Sequence, residues 1–179
     1  MKSKLILVLS LFLSTGLLAK DVDLQKSSFK WLGTKVTGKH VGIIKIKNAS
    51  LKMKDSKLMS AKIVMDHNSI SVTDLEGEWK QKFEGHIKSG DFFDVQKYPT
   101  STLEVNKVDS KNLYGNLTIK GKTHAVVVPY SKKGNTYIGK LKFDRTKFNM
   151  VYGSGSFFKN LGDKMINDEV EVDFTVVTK

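Results

Sequence analysis

The chain of 179 residues contains no cysteine, which excludes disulfide-stapled scaffolds, thiolate-bound metal centres and a cysteine nucleophile. It has only two prolines, and Arg145 is the single arginine among its 30 basic residues. Beyond residue 19 it also lacks any apolar run long enough to predict a membrane-spanning helix. Hydrophobic residues nevertheless make up 40% of the chain, which is enough to build a core and excludes intrinsic disorder. The length predicts one domain.

The first nineteen residues predict a secretory signal peptide. Lys2 and Lys4 supply its positive start, and residues 5–13 form an apolar stretch too short to span a bilayer stably. We expect cleavage after Ala19, which leaves a domain at 20–179; cleavage after Gly16 is the alternative, and an uncleaved anchor is a third option. The predicted location is therefore the periplasm or the medium. Because the chain lacks cysteine, a lipid-anchored form is excluded.

The net charge of +12 raises the question of a polyanionic partner. Nucleic-acid-binding proteins typically use arginine for guanine edges and phosphates, with aromatic residues interleaved for stacking. Here the basic residues are lysines that alternate with apolar residues, as in Lys45-Ile46-Lys47. This pattern is typical of a solvated sheet exterior, so we expect no nucleic acid. A weak attraction to an anionic membrane surface is the better expectation.

Composition and periodicity both favour strands. After residue 19 the chain has 36 Val, Ile and Thr residues but only three Ala. Apolar and polar residues alternate clearly over 59–66, 113–120, 137–144 and 169–176, and less clearly over 29–36, 41–46, 103–108, 125–130 and 148–152. These segments predict an all-β protein with eight or nine antiparallel strands, arranged as a sandwich or a barrel.

One segment departs from the strand pattern and predicts a short amphipathic helix. Leu75, Trp79, Phe83 and Ile87 recur every four residues, and residues 73–76 have the sequence of a capping box. We expect this helix to lie between two strands and to present Trp79 and Phe83 to an apolar surface.

The four histidines do not form a metal-binding motif. His40, His67, His86 and His124 are separated by at least nineteen residues, and isolated histidines are more often structural or exposed than ligating. His40 is the most interesting of them, because lysines at 45 and 47 assign the other face of its strand to solvent. We therefore expect His40 to point inward together with Ile44.

No catalytic arrangement is recognisable either. The chain has no nucleophile elbow, phosphate-binding glycine loop or paired acidic motif, so we expect no enzymatic activity. Asp91 and Asp94 are interpreted as residues that cap a turn. Asp144 and Arg145 are interpreted as a local ion pair near the end of a strand.

Four segments, in order, resemble the YceI-like family of lipid- and polyisoprenoid-binding proteins. They are WLGTKVTGKHVG at 31–42, GHIKSGDFFDVQKYPT at 85–100, GNLTIKGKT at 115–123, and FDRT at 143–146 with YGSGSFF at 152–158 and LGDK at 161–164. Each is weak by itself, but together they span almost the whole chain after residue 19. One departure is Lys122, where the family usually has valine, and the charge there suggests an exposed turn.

The resemblance implies a lipocalin-like, extended antiparallel β-barrel of about eight strands with one short helix, whose interior holds a long amphiphilic lipid such as a polyisoprenoid. It implies a lipid ligand but no cofactor. An eight-stranded barrel can be filled by its own side chains or can hold a small ligand. On the hollow alternative, we expect thirteen side chains to contact the ligand: Trp31, His40, Ile44, Ile63, Met65, Phe83, Phe92, Phe93, Leu117, Ile119, Phe143, Phe148 and Tyr152.

The predicted function is thus non-enzymatic binding, and sequestration or transport, of a polyisoprenoid-like lipid in the periplasm. One alternative is an accessory protein that binds an isoprenoid quinone and serves a membrane respiratory or stress-response system. Another is a lipid-directed enzyme that depends on His40. The oligomeric state is left open, with a homodimer as one option.

Overall fold

The structure, a computed structural model, describes residues 17–179. Within this range the chain forms nine strands and one α-helix. In chain order they are β1 Leu18–Lys20, β2 Ser28–Lys35, β3 Gly38–Lys54, β4 Lys57–Val72, α1 Gly77–Lys88, β5 Thr100–Val108, β6 Asn112–Ile119, β7 Lys122–Lys133, β8 Thr136–Asp144 and β9 Ile166–Val177.

The strands β2 to β9 form a closed barrel. β2 pairs with both β3 and β9, and the strands from β3 to β9 pair with their chain neighbours, every pair being antiparallel. β1 pairs with β3 at Leu51–Met53, beyond the region that β2 occupies. The predicted all-β, extended antiparallel barrel of about eight strands with one short helix is therefore confirmed.

The alternation seen in the sequence corresponds to the two faces of the barrel wall. In β6, Leu113, Gly115, Leu117 and Ile119 are buried, whereas the residues that alternate with them are more exposed. β9 shows the same pattern, since Phe174 and Val176 are buried in the core. A strand with period two presents one face to the interior, so these inward faces together form the core.

Bulges change the phase of this pattern in β4. The sequence places Met59 on the inward face with Ala61 and Ile63, but Met59 is exposed and Leu58 is buried instead. The register shifts where Met53 of β3 pairs with Leu58. The prediction for Met59 is wrong because an extra residue in one strand moves the following side chains to the opposite face.

The predicted strand at 148–152 is also wrong. Residues Arg145–Phe148 form a short 3-10 helix, and Asn149 follows in the left-handed region with φ of 64°. Asp144 caps this helix by accepting a hydrogen bond from the Thr146 backbone N–H. A short apolar run does not distinguish a strand from a buried turn, because Phe148 and Met150 are buried here without any strand partner.

The predicted helix is confirmed, but its start and its exposed face differ from expectation. Thr73 does not cap it: its hydroxyl bonds to the Val41 carbonyl oxygen, and the N-cap residue Glu76 has no side-chain capping bond. Phe83 packs against the barrel, whereas Trp79 is 72% exposed. The expected apolar surface is thus found for Phe83, whereas for Trp79 it is not found among residues 17–179 and the expectation stays a prediction.

Outward lysines of the barrel wall meet acidic neighbours across β8 and β9. Lys140 pairs with Glu171 and Asp173, and Lys142 pairs with Glu169 and Glu171. Hydrogen bonds from Lys140 and then from Lys142 lower the pKa of Glu171. Solvent-exposed ion pairs of this kind contribute little to stability. Their main effect is therefore to keep the barrel exterior hydrated.

Most of the predicted signal peptide, residues 1–16, lies outside the described residues. The cut expected after Ala19 falls inside β1. No helix within residues 17–179 is long and apolar enough to cross a membrane.

The close packing around Gly42 predicts a large loss of stability when this glycine is replaced by alanine. A Cβ at this position would lie 2.1 Å from the Ser71 carbonyl oxygen and 2.2 Å from the Trp31 ring. Gly42→Ala should therefore destabilise the barrel by about 1–3 kcal/mol through overpacking. Urea denaturation measures the loss, and Gly33→Ala is the matched control because its Cβ meets nothing within 4 Å. Equal stability of the two variants would contradict this account.

Candidate functional site

The barrel encloses a cavity of about 280 Å³ near the end covered by α1. Its walls are the inward faces of most strands, and most of its lining side chains are apolar. The polar or charged lining residues are Thr34, Lys35, Lys39, His40, Ser101 and Arg145. The barrel is therefore hollow at this end, which decides the question that the sequence left open.

The cavity opens between three segments, and we call this opening the mouth. They are the β2–β3 hairpin, helix α1 and the β8–β9 connection at 145–165, which contribute Lys35, Lys39, Phe83 and Arg145 to the lining. Lys35 and Lys39 are exposed to solvent while they line the cavity, so the interior is connected to solvent beside them. The remaining polar lining residues are Thr34 and His40 on the same hairpin and Ser101 near the start of β5.

Helix α1 covers part of the mouth with an aromatic side chain. The Phe83 ring stacks 6.1 Å from the Trp31 ring and lies 4.6 Å from the His40 ring, measured between centroids. The helix is held to β4 by Glu84, whose carboxylate accepts hydrogen bonds from the Ser71 hydroxyl at 2.8 Å and the Val72 N–H at 3.0 Å. Partial burial opposes ionisation of Glu84, but these two bonds lower its pKa.

His40 lies at the mouth and points inward, as expected. Its Nδ1 is 3.0 Å from Asp74 Oδ2, and the other oxygen of Asp74 accepts the Val41 N–H at 3.0 Å. Burial opposes ionisation of Asp74, but the bonds from Val41 and His40 lower its pKa, so the carboxylate remains charged. Asp74 therefore fixes the orientation of the His40 ring, which leaves Nε2 as the ring nitrogen available to a ligand.

Eleven of the thirteen side chains predicted to contact a ligand line this one cavity: Trp31, His40, Ile44, Ile63, Met65, Phe83, Phe92, Phe93, Leu117, Ile119 and Phe143. The structure brings them together from five strands, helix α1 and the loop that follows it. Contact of these residues with a ligand stays a prediction.

Phe148 and Tyr152 do not line the cavity. Phe148 is buried behind it, with its ring edge-on to Phe143 at 5.7 Å and to His124 at 5.1 Å. Tyr152 is exposed, and its ring lies 4.6 Å from that of His86. A strand at 148–152 would place both side chains on one face, but the 3-10 helix Arg145–Phe148 turns Phe148 into the core, and Tyr152 follows it at the surface.

Arg145 lines the cavity, and its interpretation as the ion-pair partner of Asp144 is wrong. It is buried and pairs with Asp168 at 3.4 Å, not with its neighbour Asp144. The guanidinium also donates to four backbone carbonyl oxygens, those of Met150, Tyr152, Ile166 and Asn167. The sequence did contain a signal for this role, since Arg145 is the only arginine among many lysines. A planar group with five donors suits a site that a lysine cannot satisfy.

His67 is a second buried polar residue that the sequence did not single out. Its side chain is fully buried, with Nδ1 2.7 Å from the Tyr98 carbonyl oxygen and the ring edge-on to Phe93. Nδ1 therefore carries a proton, and Nε2 has no hydrogen-bond partner within residues 17–179. Burial lowers the pKa of His67, although its bond to Tyr98 and the charge of Asp66 oppose this.

The neutral state of His67 predicts a loss of stability in mild acid. Because its pKa is lower in the folded protein than in the unfolded chain, its contribution is complete above pH 6.5 and decreases as the pH falls. The slope from this group is at most about 1.4 kcal/mol per pH unit. Urea unfolding between pH 7 and 5 should show this dependence, and His67→Gln should flatten it. His124→Gln is the control; equal slopes in wild type and His67→Gln would contradict the prediction.

The part of the chain that the structure describes contains no group of three or more His, Asp or Glu side chains placed to hold a metal ion. The lining of the cavity, taken by itself, is that of an apolar container with a few hydrogen-bonding groups at its mouth.

Among curated proteins, the chain matches a protein named UPF0312 protein from Pseudomonas aeruginosa, with 35% identity over 71 residues. The match covers 37% of this chain and 34% of the relative, so the chain spans about a third of the length of the curated relatives it matches.

Solved structures match over most of the chain. Burkholderia cenocepacia BcnA superimposes with a TM-score of 0.72 at 28% identity, covering 89% of this chain and all of BcnA. A polyisoprenoid-binding domain from Saccharophagus degradans, implicated in plant cell wall breakdown, gives a TM-score of 0.62 at 14% identity over 92% of this chain and 99% of that domain. The YCEI protein of Campylobacter jejuni gives 0.51 at 16% identity over 76% of this chain and 84% of its own. The last two likenesses concern the fold alone.

A family model described as the YceI-like domain matches residues 21–178, which is nearly all of the barrel described above. This match agrees with the segments around Trp31, Phe92 and Arg145 that carried the resemblance in the sequence. The chain therefore belongs to the YceI-like family.

Proposed function

We propose that the protein binds the apolar chain of a polyisoprenoid-like lipid inside the barrel and sequesters or carries it through the periplasm without chemical change. The observation that carries this proposal is the cavity itself, which is apolar along its walls and has its charged groups at the mouth. That arrangement matches an amphiphile with a hydrocarbon tail and a polar head. The likeness to a domain described as polyisoprenoid-binding supports the same ligand class.

The size of the cavity limits how much of the lipid is held. A volume of about 280 Å³ lies just below the range of about 300–1,000 Å³ typical of ligand pockets. A long chain must therefore leave part of itself in the mouth or enlarge the cavity. Met65 and Met150 line the cavity, and methionine side chains repack readily.

The expected affinity follows from the apolar surface removed from water. Burying about 500 Å² of the apolar surface of the tail, in the cavity and its mouth together, contributes about 12 kcal/mol at about 25 cal/mol/Å². Loss of ligand freedom offsets several kcal/mol of this, which leaves an affinity in the micromolar range or tighter.

The test is mass spectrometry of an organic extract from protein purified from its own host, combined with binding of geranylgeraniol to delipidated protein. Recovery of an isoprenoid and saturable micromolar binding would support the proposal. An extract without lipid, together with no binding in vitro, would contradict it. A redox-active quinone in the extract would favour the respiratory or stress-response alternative, and turnover that is lost in His40→Ala would favour an enzyme.

A further inference from the structure

The direction of the strands separates the two ends of the barrel. The β2–β3 hairpin, helix α1, the β6–β7 turn at Lys120–Gly121 and the 145–165 connection all lie at the end where the cavity opens. The β3–β4, β5–β6 and β7–β8 turns lie at the opposite end. Each antiparallel strand reverses the chain, so successive connections alternate between the ends. The two ends can therefore be compared directly.

Exposed aromatic side chains are concentrated around the mouth, and Val36 accompanies them. Val36 at the hairpin tip is 54% exposed, Trp79 on the helix 72%, and Phe157 and Phe158 in the connection 59% and 47%. The turns at the opposite end are Asp-Ser at 55–56, Asp-Ser-Lys at 109–111 and Gly-Asn at 134–135, which contain no large apolar residue. The exposed large apolar side chains at that end are aliphatic: Leu17, Leu18, Leu24 and Met59. Within residues 17–179 an apolar rim that contains exposed aromatic residues therefore occurs at the mouth alone, and it points to contact with another apolar phase.

The same contacts that shape the mouth hold these residues around it. The Val36 N–H donates to the Met165 carbonyl oxygen at 3.2 Å, which joins the hairpin to the connection. Ser154 forms an isolated β-bridge with Ile166, which lines the cavity. This bridge joins the segment that carries Phe157 to the barrel. Trp79 lies one helical turn before Phe83, which lines the cavity.

Positive charge accompanies the apolar rim. Lys35 and Lys39 flank the hairpin tip, and Lys159 and Lys164 follow the two phenylalanines. None of these four lysines forms an ion pair within the described range 17–179, unlike the outward lysines of β8. Exposed aromatic residues together with unpaired lysines match the interface of a bilayer that carries anionic headgroups.

We propose that the mouth of the barrel docks onto an anionic phospholipid bilayer through Val36, Trp79, Phe157 and Phe158, with the lysines above on the headgroups. In this orientation the cavity faces the acyl layer, so a lipid tail enters or leaves without crossing water. The purpose of docking, which is lipid transfer, rests on the proposed function. The docking itself does not depend on that function.

A bilayer fits this surface better than a protein does. The exposed side chains come from three separate segments arranged around an opening, whereas a stable protein interface needs a large, complementary packed surface. A second copy of this chain would also bring its own unpaired lysines against these, which opposes association. A soluble protein that binds the rim in place of vesicles would be an outcome contrary to the proposal.

The test uses delipidated full-length domain and vesicles of phosphatidylcholine with 30% phosphatidylglycerol. Flotation should recover the wild type with these vesicles, less at high salt and little with pure phosphatidylcholine. Trp79 emission should shift to shorter wavelength and be quenched by brominated lipid, and Trp79→Phe should remove that change. Failure of the wild type to bind, or an unshifted Trp79, would overturn the proposal.

Matched variants separate the mouth from general stickiness. Phe157→Ser with Phe158→Ser should weaken vesicle binding at least tenfold, whereas Val127→Ser with Ile138→Ser, on the barrel wall, should change it less than twofold. Likewise, Lys35→Gln with Lys39→Gln should weaken binding at least threefold. The charge-matched control Lys111→Gln with Lys133→Gln, at the opposite end, should not. Equal losses in variants and controls would overturn the proposal.

Lipid loading from solution distinguishes failure of docking from failure of the proposed function. The Phe157→Ser, Phe158→Ser variant should still bind geranylgeraniol added without vesicles, with unchanged circular dichroism. Vesicle binding by a wild type that binds no isoprenoid would retain the docking surface and reject the proposed cargo. Isoprenoid binding without any vesicle binding would reject the docking surface alone.

Discussion

Replacing Gly33 by phenylalanine is expected to block lipid binding while leaving the barrel folded. Gly33 lies on the inward side of β2 and lines the cavity near the mouth, and a Cβ built there meets nothing within 4 Å. A bulky side chain at this position therefore projects into empty space instead of into packed neighbours. Since the cavity holds only about 280 Å³, a phenyl ring removes much of the room for a tail.

The measurement is geranylgeraniol binding together with the lipid content of the purified protein, and both should fall at least tenfold in Gly33→Phe. Lys30→Phe is the matched control, because Lys30 is exposed on the outer face of the same strand. The melting temperature of Gly33→Phe should remain within a few degrees of the wild type. Unchanged lipid binding in a folded Gly33→Phe protein would place the ligand elsewhere.

Replacing Arg145 by methionine is expected to give the largest loss of stability. The substitution leaves the carboxylate of Asp168 and the carbonyl oxygens that Arg145 binds without their donor. Removing one partner of a buried charged network typically costs about 3–5 kcal/mol. For a domain of this size that corresponds to a fall in melting temperature of about 6–20 °C.

Arg145→Lys should be nearly as damaging. The three donors of an ammonium sit on one nitrogen, so they cannot reach all the acceptors that the N–H groups around the planar guanidinium bind. The control is Lys147→Met, an exposed position on the same 3-10 helix. Urea unfolding measures stability, and limited trypsin digestion should cut Arg145→Met faster within the 145–165 connection that the guanidinium holds. A stable, protease-resistant Arg145→Met protein would show that this network is dispensable.

The strand pattern was predictable from local sequence because alternation with period two depends only on which face is buried. β6 and β9 follow it throughout, and the helix followed from the four-residue spacing of Phe83 and its neighbours. Bulges were not predictable, since the extra residue near Met59 is selected by pairing with β3 and not by its own neighbours. The prediction of a strand at 148–152 was wrong for the same reason, because apolar residues indicate burial but not the chain segment against which they pack.

The cavity lining was predictable as a set of inward apolar residues, and eleven of thirteen reached it. Its polar members were harder to identify. The partners of Arg145 lie up to 23 residues away, and His67 is buried by the loop carrying Tyr98, 31 residues further along the chain. Such contacts depend on chain segments that meet only after the barrel closes.

The sequence by itself determined an all-β chain with a hydrated lysine exterior and an apolar inward face, because residue type and alternation act locally. It also determined the absence of thiol chemistry, because no cysteine is present. Only the tertiary structure decided that the interior is hollow, where its mouth lies, and that Arg145 closes the connection beside it. These are properties of how distant segments pack, since side-chain volumes fill or leave space only once all eight strands are joined.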